Sequence, residues 1–582
     1  MEGLHQEIEA ARATIEAGDL DGGLDHLNAA GSHADRARGT LRAMPLVTWF
    51  AVMPGGDVNE RAALTVLQAA SNGLNTLREL LHSASEACPR RDIELRIASC
   101  RIRALDKRVL AAIDRLSDIR RTVEEGATPN LTTIAKAQSE LTESLNEATA
   151  ALRTGHTALK ILPDVLGSTK PRTYLLLLQS PSEARGGGGL IGMVGLLRVS
   201  DAGLELTRLA AVRSFGPPPK VRGPKWYHDA YDRFQALSDW RQANPSPNFP
   251  VTARLLAKMY ELQFQARLDG VVALDPLLFT AITRITGPFS IRGWSVAIDE
   301  FNARRILLAK LYRHFDGQHK RQNRYLERLA VAAMNRLENM SPAELVSVMS
   351  WGVPRQHLRF FMREEDEQRV LRQVGAAGFT GGPANAQLIY DNEWSGSKIS
   401  FFIKRRITIL ANVMLSGDVR VKTSITLKNE VGARAVNSNA VRPVDRNLAP
   451  GTSDMTLHLL LPTRAQAIQV VGGSHSVASH RAIEKRHPMM WIPVTLARGE
   501  TRTVFVSYTI PQRPQPERGL DFTLTLHPQT AVRPDRFTVL VNPPHGYRIP
   551  RAEEHSISEV WAGRLKASKE IAVEMVPGTQ NQ

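Results

Sequence analysis

The sequence predicts a multidomain α+β protein: an N-terminal helical bundle or stalk over 1–165, a central three-layer α/β domain over 170–380, and a C-terminal antiparallel β-sandwich over 385–582. Three observations carry this reading. Apolar residues recur at helical spacing through the first part, strand-like and helix-like runs alternate through the second, and short alternating apolar and polar runs separated by turn residues fill the third.

In the first part Leu4, Ile8, Ala11 and Ile15 mark one helical face, GDLDGG (Gly18 to Gly23) breaks the run, and Leu24, Leu27 and Ala30 begin the next. Further helices are expected over Ala62 to Leu81, Ile93 to Val123 and Leu131 to Leu162, the last started by TPN (Thr128 to Asn130). Long Ala- and Leu-rich helices with charged outer faces suit an antiparallel bundle. In the second part strands are expected at 174–179, 190–199, 204–212, 269–274 and 357–362, and helices at 251–265, 276–285, 298–313, 321–338 and 342–351. Ser214 to Phe234 holds too much Pro and Gly for either and reads as a long loop. Its Arg222, Lys225, Trp226, Tyr227 and His228 suit closure over an anionic or sugar ligand. In the third part Ile399 to Leu415, Val419 to Asn429, Met455 to Pro462, Thr501 to Pro511, Asp521 to Gln529 and Arg536 to Pro544 read as strands.

Composition bounds the function classes. Hydrophobic residues make up 43% and charged residues 23%, which is ordinary for a globular chain, but 74 Lys and Arg against 58 Asp and Glu leave a net +16. That surplus, with a pI near 10, attracts polyanions: nucleic acid, anionic lipid headgroups or phosphate-bearing glycans. Arginine is spread through every region without a Lys-rich tail, which argues against a dedicated nucleic-acid binder. Cys88 and Cys100 are too few for a disulfide framework or a structural zinc site; they could bridge two helices, and unpaired thiols are the expectation. The start, MEGLHQEIEAARATIEAGD, lacks the apolar core of a cleavable signal peptide. No run reaches the roughly 18 apolar residues of a membrane span. The longest candidate, Met44 to Gly56, is short and bounded by Pro and Gly.

The chemistry concentrates between Arg172 and Phe215. The apolar run Tyr174 to Leu178 suits a strand buried on both faces, and Gln179, Ser182, Glu183 and Arg185 then precede four glycines, Gly186 to Gly189, before a second apolar run from Leu190 to Val199. A carboxylate, a guanidinium and backbone free to take positive φ thus stand at the end of a buried strand, where open α/β sheets hold ligands. The plain alternative is a flexible hairpin loop with a solvated Glu183 and Arg185. A nucleotide loop is excluded, because Leu190 and Ile191 follow the glycines where a Lys and a Ser or Thr would be needed. Downstream, Arg213 follows a strand; Asp239, Arg241, Asn244 and Asn248 precede a helix whose free N–H groups suit an anion, with capping by Asn248 as the alternative. Asp275 is expected to cap the helix after the strand GVVAL. Glu183 is the candidate ligand for a metal, which would need a second carboxylate nearby. No nucleophile elbow, zincin motif or zinc-ligand spacing occurs.

The run YLLLLQSPSEARGGGGLIGMVGLLRV resembles the signature of a bacterial envelope family catalogued as domain of unknown function 4012 (DUF4012). That signature reads as an apolar strand, Gln-Asn, Glu, Arg, Gly-Gly-Phe and another strand. The match lies at Gln179, Glu183, Arg185, Gly188, Gly189 and Gly192 and extends to Ser238–Tyr260, Leu268–Ile291 and Asp391–Ile409. Ser180 and Pro181 depart from the usual Asn pair, and NPSPN (Asn244 to Asn248) from a more usual Asn-Trp-Ser-Pro-Asp. More remotely, the order of elements is similar to the LytR-CpsA-Psr enzymes, which move glycopolymers from polyprenyl-pyrophosphate carriers onto the wall. By that resemblance Arg185 and Arg213 are expected to neutralise pyrophosphate oxygens and Glu183 to hold part of a divalent cation such as Mg, making the three the catalytic candidates. Gln179, Gly188, Gly189, Arg241, Asn244, Asn248 and Asp275 are the ligand-binding candidates. The resemblance implies an extracytoplasmic protein on an upstream transmembrane helix, binding and transferring a polyprenyl-linked or anionic glycan during cell-wall or surface polysaccharide assembly. A non-catalytic envelope scaffold that meets the membrane surface or polysaccharide-assembly proteins is the alternative. A cytoplasmic nucleic-acid binder rests on net charge alone.

Overall fold

The computed structural model describes residues 20–43, 56–86, 95–200, 203–292, 295–340, 342–436, 438–472, 475–476, 479–512, 520–550 and 556–578, with scattered residues between 6 and 14. Most of Met44 to Gly56, the side chains of Cys88 and Cys100, and most of the first helical face lie outside the described residues. Among these residues no helix is long and apolar enough to cross a membrane.

The chain is a mixed α+β protein, with helices in the N-terminal part and mixed sheets after them. Helices α1 (Leu20–Ala43), α2 (Gly56–Glu86), α3 (Leu95–Glu124) and α4 (Thr132–Val165) each pack on the next. Small residues set the α1 contact: Ala30 and Ala34 meet Ala70 and Leu74. Helix α1 begins at Leu20, so Gly22 and Gly23 lie inside it rather than breaking the run.

A five-stranded sheet follows, in the order β3-β2-β1-β4-β5: β1 (Arg172–Ser180), β2 (Leu190–Ser200), β3 (Gly203–Ala211), β4 (Gly270–Leu274) and β5 (Leu358–Met362). Every strand lies where the hydrophobic pattern predicts it. Strand β1 sits at the centre, antiparallel to β2 and parallel to β4, and its unbroken apolar run is buried because both faces are covered. Leu175 and Leu177 meet α6 (Phe249–Phe264) on one face. Tyr174 and Leu176 face a second core shared with α7 (Leu278–Thr286), α8 (His319–Glu338) and α9 (Pro342–Gly352). Between α7 and α8 a helical run, Ala303–Arg305, widens to a π-turn at Ile306–Lys310 and closes at Leu311–His314.

The stretch expected to be one long loop contains α5 (Lys225–Tyr231). Tyr227 and Tyr231 are buried against Tyr390 and Met489, and His228 accepts the Gly223 N–H at 2.9 Å while facing Asp232. This segment therefore packs between the sheets rather than closing over a ligand. A run of apolar side chains interleaved with Pro can form a helix once its aromatics have a core to enter.

Two seven-stranded sheets complete the chain. The first runs β11 (His475–Ser476), β10 (Gln466–Gly472), β14 (Thr501–Ile510), β8 (Val419–Asn429), β7 (Ile403–Val413), β16 (Arg536–Asn542), β18 (Ser558–Arg564), and the second β12 (His480–Glu484), β13 (His487–Leu496), β9 (Ser453–Leu460), β6 (Ala386–Glu393), β15 (Leu520–His527), β19 (Lys569–Pro577), β17 (Tyr547–Arg548). They share one hydrophobic core, to which Ile407, Ile409 and Ile425 contribute from the first and Leu457, Ile492 and Phe522 from the second. Alternation along β8 (Val419–Asn429) turns Arg420, Lys422 and Lys428 outward. Neither sheet is purely antiparallel: β6 (Ala386–Glu393) pairs in parallel with β15 (Leu520–His527), and β7 (Ile403–Val413) with β16 (Arg536–Asn542). Strand β7 starts at Ile403 because Ile399–Phe401 forms a tight helical turn.

The seam between α5 and the sheets holds a buried carboxylate that accepts hydrogen bonds from hydroxyl groups. Glu484, at the end of β12 (His480–Glu484), is fully buried and accepts from Ser246 Oγ at 2.6 Å and from Tyr231 Oη. Burial pushes its pKa up from 4.5 to about 7, against the downward pull of those hydrogen bonds. The native state therefore holds a proton that the unfolded chain releases between these two values, so stability falls as pH rises from 4.5 to 7. The loss is about 3 kcal/mol at this site. Glu393, lifted to about 7 by burial, acts in the same direction, while buried His458 and His527, pulled down by burial, act against it, so the comparison is between chains. Glu484→Gln is expected to lose less urea midpoint between pH 4.5 and 7 than the unaltered chain, and an equal change in both defeats the assignment.

Candidate functional site

The Gly186–Gly189 stretch is an ordered, buried corner, and its alternative as a flexible hairpin loop is corrected. Gly186 N–H donates to Asn392 Oδ1 at 2.9 Å, Gly187 N–H to the Asn244 carbonyl at 2.9 Å, and Asn244 Nδ2 to the Gly189 carbonyl at 2.7 Å. Gly188 and Gly189 hold φ of +106° and +114°, where a side chain would be strained. From the sheet side Arg359, 2% exposed, reaches the Gly187 carbonyl at 2.8 Å and also meets Gln179 Oε1.

Arg185 belongs to this packing and not to a ligand site. It is 1% exposed, its guanidinium donates to Gln242 Oε1 at 2.9 Å, to the Ala184 carbonyl at 2.7 Å and to the Glu393 carbonyl, and it lies over the Trp394 ring at 4.5 Å. Burial pulls its pKa down to about 10 despite the carboxylates around it. This guanidinium, one of the expected catalytic groups, ties the corner to β6 and is not among the residues lining the cavity beside it. Gly188, Gly189 and Asn244 serve the same packing. Asn248 opens α6, yet its side chain makes no cap bond; its N–H donates instead to Ser246 Oγ at 3.0 Å.

A cavity of about 360 Å³ opens beside the corner, at the C-terminal ends of the parallel pair β1 and β4. Its polar end is lined by Gln179, Glu183, Arg213, Arg241, Asp275 and Lys398. Five of these are predicted candidates, and the structure brings them together. Glu183 is buried and paired with Lys398, whose ammonium also donates to Ser180 Oγ at 3.3 Å and lies 4.5 Å from the Tyr312 ring centre. Burial lowers the Lys398 pKa, but Glu183 and Tyr312 more than restore it, so the net direction is up and the side chain is a cation at neutral pH. Arg213 stands exposed at the rim, just past β3 in a tight turn at Val212–Ser214. Arg241 is held by Asp239 at 2.6 Å, and that hydrogen bond raises its pKa. Asp275, expected to cap the helix, accepts the Leu277 N–H at 2.8 Å in the turn before it, the N-cap position being Leu277, and its other oxygen meets His357 Nδ1 at 2.7 Å.

The other end is apolar. Leu176, Leu178 and Phe279 form one wall; Leu329, Ala333 and Leu337, at helical spacing along α8, form the other. Lys398 and the α8 stripe went unassigned in the sequence. The stripe is legible as an amphipathic face, but nothing local separates a face covering a cavity from one covering a packed core.

A divalent cation does not fit. The Glu183 carboxylate already faces an ammonium, Asp275 is shared between the Leu277 N–H and His357, and no group of three or more His, Cys, Asp or Glu that could hold a metal occurs among the described residues.

No curated protein matches the chain. Among solved structures, one described as a "putative nutrient binding protein" from Legionella pneumophila subsp. pneumophila str. Philadelphia 1 aligns at 10% identity over 32% of this chain and 69% of that one. Its TM-score of 0.20 lends that likeness no weight. Residues 169–312, which carry β1 to β4, the glycine corner and most of the polar end of the cavity, match the sequence model of the family described as protein of unknown function (DUF4012).

Proposed function

We propose that the chain binds an amphiphile with an anionic head and a long apolar tail: a polyprenyl-linked or otherwise anionic glycan of the cell envelope. The observation that carries the reading is one cavity whose lining joins a polar set, with Lys398, Arg213 and Arg241 beside Glu183, Asp275 and Asp316, to an apolar set from β1, α7 and α8. Lys398, Arg213 and Arg241 supply donors for phosphate oxygens, and the groove under α8 supplies a dry channel for the tail. With this goes the finer fold reading, that the five-stranded sheet with its covering helices is LytR-CpsA-Psr-like and the paired seven-stranded sheets form a sandwich; it is supported by the ligand site at the strand ends and by the core common to both sheets.

Holding the ligand is favoured over transferring it. The commitment of Arg185 to Gln242, Ala184 and Glu393 takes away one of the two guanidiniums expected to neutralise the pyrophosphate in a transfer step. The same observation favours a second reading, a non-catalytic envelope scaffold whose cavity recognises rather than converts.

The test uses the full chain and a short polyprenyl pyrophosphate in a calorimetric titration. Arg213→Ala, exposed and outside the core, is expected to weaken binding about tenfold or more. Ala330→Phe, which fills the groove from α8, is expected to abolish the gain that the lipid gives over inorganic pyrophosphate. Equal affinity for the lipid and for inorganic pyrophosphate in the unaltered chain would remove the proposal.

A further inference from the structure

Outside the cavity, the turn before the Ala303–Arg305 helical segment carries the most exposed large apolar side chain among the described residues, Phe301, at 90%. The turn that presents it is firmly built. Asp299 Oδ1 accepts the N–H groups of Phe301 at 2.9 Å and Asn302 at 2.8 Å; in return Asn302 Oδ1 accepts the Asp299 N–H at 3.1 Å, and its Nδ2 donates to the Ala297 carbonyl at 2.9 Å. A single exposed apolar residue is common on soluble proteins and by itself means little. Here it stands beside an accumulation of positive charge.

Arg304 and Arg305 follow Phe301 at the three- and four-residue spacing that shares a helical face, and both are exposed. Partial burial lowers the pKa of Arg304, and Arg533 and Arg564 lie close enough to lower it further. Arg564 is the cross-strand partner of Arg536, and Arg536 is the partner of Arg406, so three exposed arginines stand in register across β18 (Ser558–Arg564), β16 and β7. Adjacent strands are roughly 5 Å apart, and like charges directly opposite repel. The nearby carboxylates face elsewhere: Asp535 pairs with Arg405, Glu300 with Arg284, and Asp299 is held within its turn. Arg564 donates to the Pro534 carbonyl at 3.1 Å and Arg533 lies 5.6 Å from the Phe401 ring centre, but among the described residues no carboxylate forms an ion pair with the row, which leaves it open to an external anion.

We infer that Phe301 and the arginines 304, 305, 406, 533, 536 and 564 form a docking surface for an anionic lipid bilayer, the aromatic tip entering the headgroup layer while the guanidiniums meet lipid phosphates. The pairing of a projecting apolar tip with a basic row decides the occupant. A soluble polyanion would satisfy the arginines and leave Phe301 in water, whereas a bilayer satisfies both. The surface also adjoins the cavity: Leu307 and Tyr312, on the helical run that follows Phe301, line it. A docked molecule would hold that opening near the lipid. The inference does not depend on what the cavity binds, because Phe301 and these arginines lie outside its lining and can be changed without altering it.

The test is cosedimentation of the full chain with vesicles of phosphatidylglycerol and phosphatidylcholine in equal parts, against vesicles of phosphatidylcholine alone. Binding is expected to the anionic vesicles only and to weaken as salt is raised. Phe301→Ser is expected to lower partitioning about tenfold. Arg536→Gln combined with Arg564→Gln is expected to lower it about twentyfold. All three sites are exposed, so unchanged thermal unfolding separates these effects from misfolding. Absence of binding to the anionic vesicles overturns the inference. So does unaltered binding by Phe301→Ser, which would reassign the arginine row to a soluble polyanion.

Discussion

Gly189→Ala is expected to destabilise the fold by at least about 4 kcal/mol, a large loss for one methyl group. Two independent effects add. The backbone holds φ at +114°, outside even the left-handed region that Asn and Asp tolerate, so any Cβ is strained. That Cβ would also fall on the Ser180 carbonyl and the Pro181 nitrogen, which are main-chain atoms on the adjoining strand and turn and cannot rotate away. Gly188→Ala meets a softer obstacle, the end of the Arg359 side chain, and is expected to cost less. The ordering of the two variants is therefore the discriminating measurement. Denaturant midpoints should fall for both, with Gly189→Ala the lower; equal and small losses would mean that the corner yields.

The strands of the five-stranded sheet were legible because each is a short apolar run bounded by polar or turn residues, and β1 at its centre, buried on both faces, gives the strongest such signal. Strand β6 was not legible. Its sequence, AQLIYDNE, carries four polar residues in eight and yet is buried throughout, because Gln387, Asp391, Asn392 and Glu393 all find partners in other segments. A buried polar strand has the composition of a loop, and its satisfaction is a tertiary fact. Helix α5 was hidden for the related reason that its local Pro and Gly signals were outweighed by the burial of Tyr227 and Tyr231.

The site was legible in location more than in role. Residue types at the end of β1 pointed to Glu183, Gln179 and Arg213, and the cavity lies there. Sequence gives no means to tell an arginine that faces a ligand from one that faces the backbone, and Arg185 and Arg213 are such a pair. Arg185 sits within the corner and is enclosed by Trp394, Gln242 and Glu393, while Arg213 sits past a strand end with solvent in front of it. Lys398 comes from a segment more than 200 residues away in the chain, so its pairing with Glu183 depends on how the sheets meet.

That meeting has a second support whose removal is expected to be as damaging. Arg405, on β7 and 5% exposed, forks onto Asp535 at 2.8 and 2.5 Å, meets Asp391 with its remaining nitrogen, and donates to Gln529 Oε1 at 2.8 Å. Burial opposes its charge, but Asp535 and Asp391 overcome that, and its pKa is raised; burial leaves Asp391 above the usual carboxylate range even beside this cation. Arg405→Ala would leave two buried carboxylates facing each other without a cation, and is expected to cost about 4 kcal/mol. The effect should reach the glycine corner, because Gln529 donates both to the Asp391 carbonyl at 2.8 Å and to the Arg185 carbonyl at 3.3 Å. If the loss comes from stranded charge rather than lost packing, Arg405→Met should be nearly as unstable as Arg405→Ala. Adding Asp391→Asn and Asp535→Asn to Arg405→Met should then recover most of the stability, since a neutral cluster can be buried without a counter-ion. Denaturant unfolding of these variants decides the matter: a loss below about 1 kcal/mol for Arg405→Ala would place the cluster among solvated surface pairs.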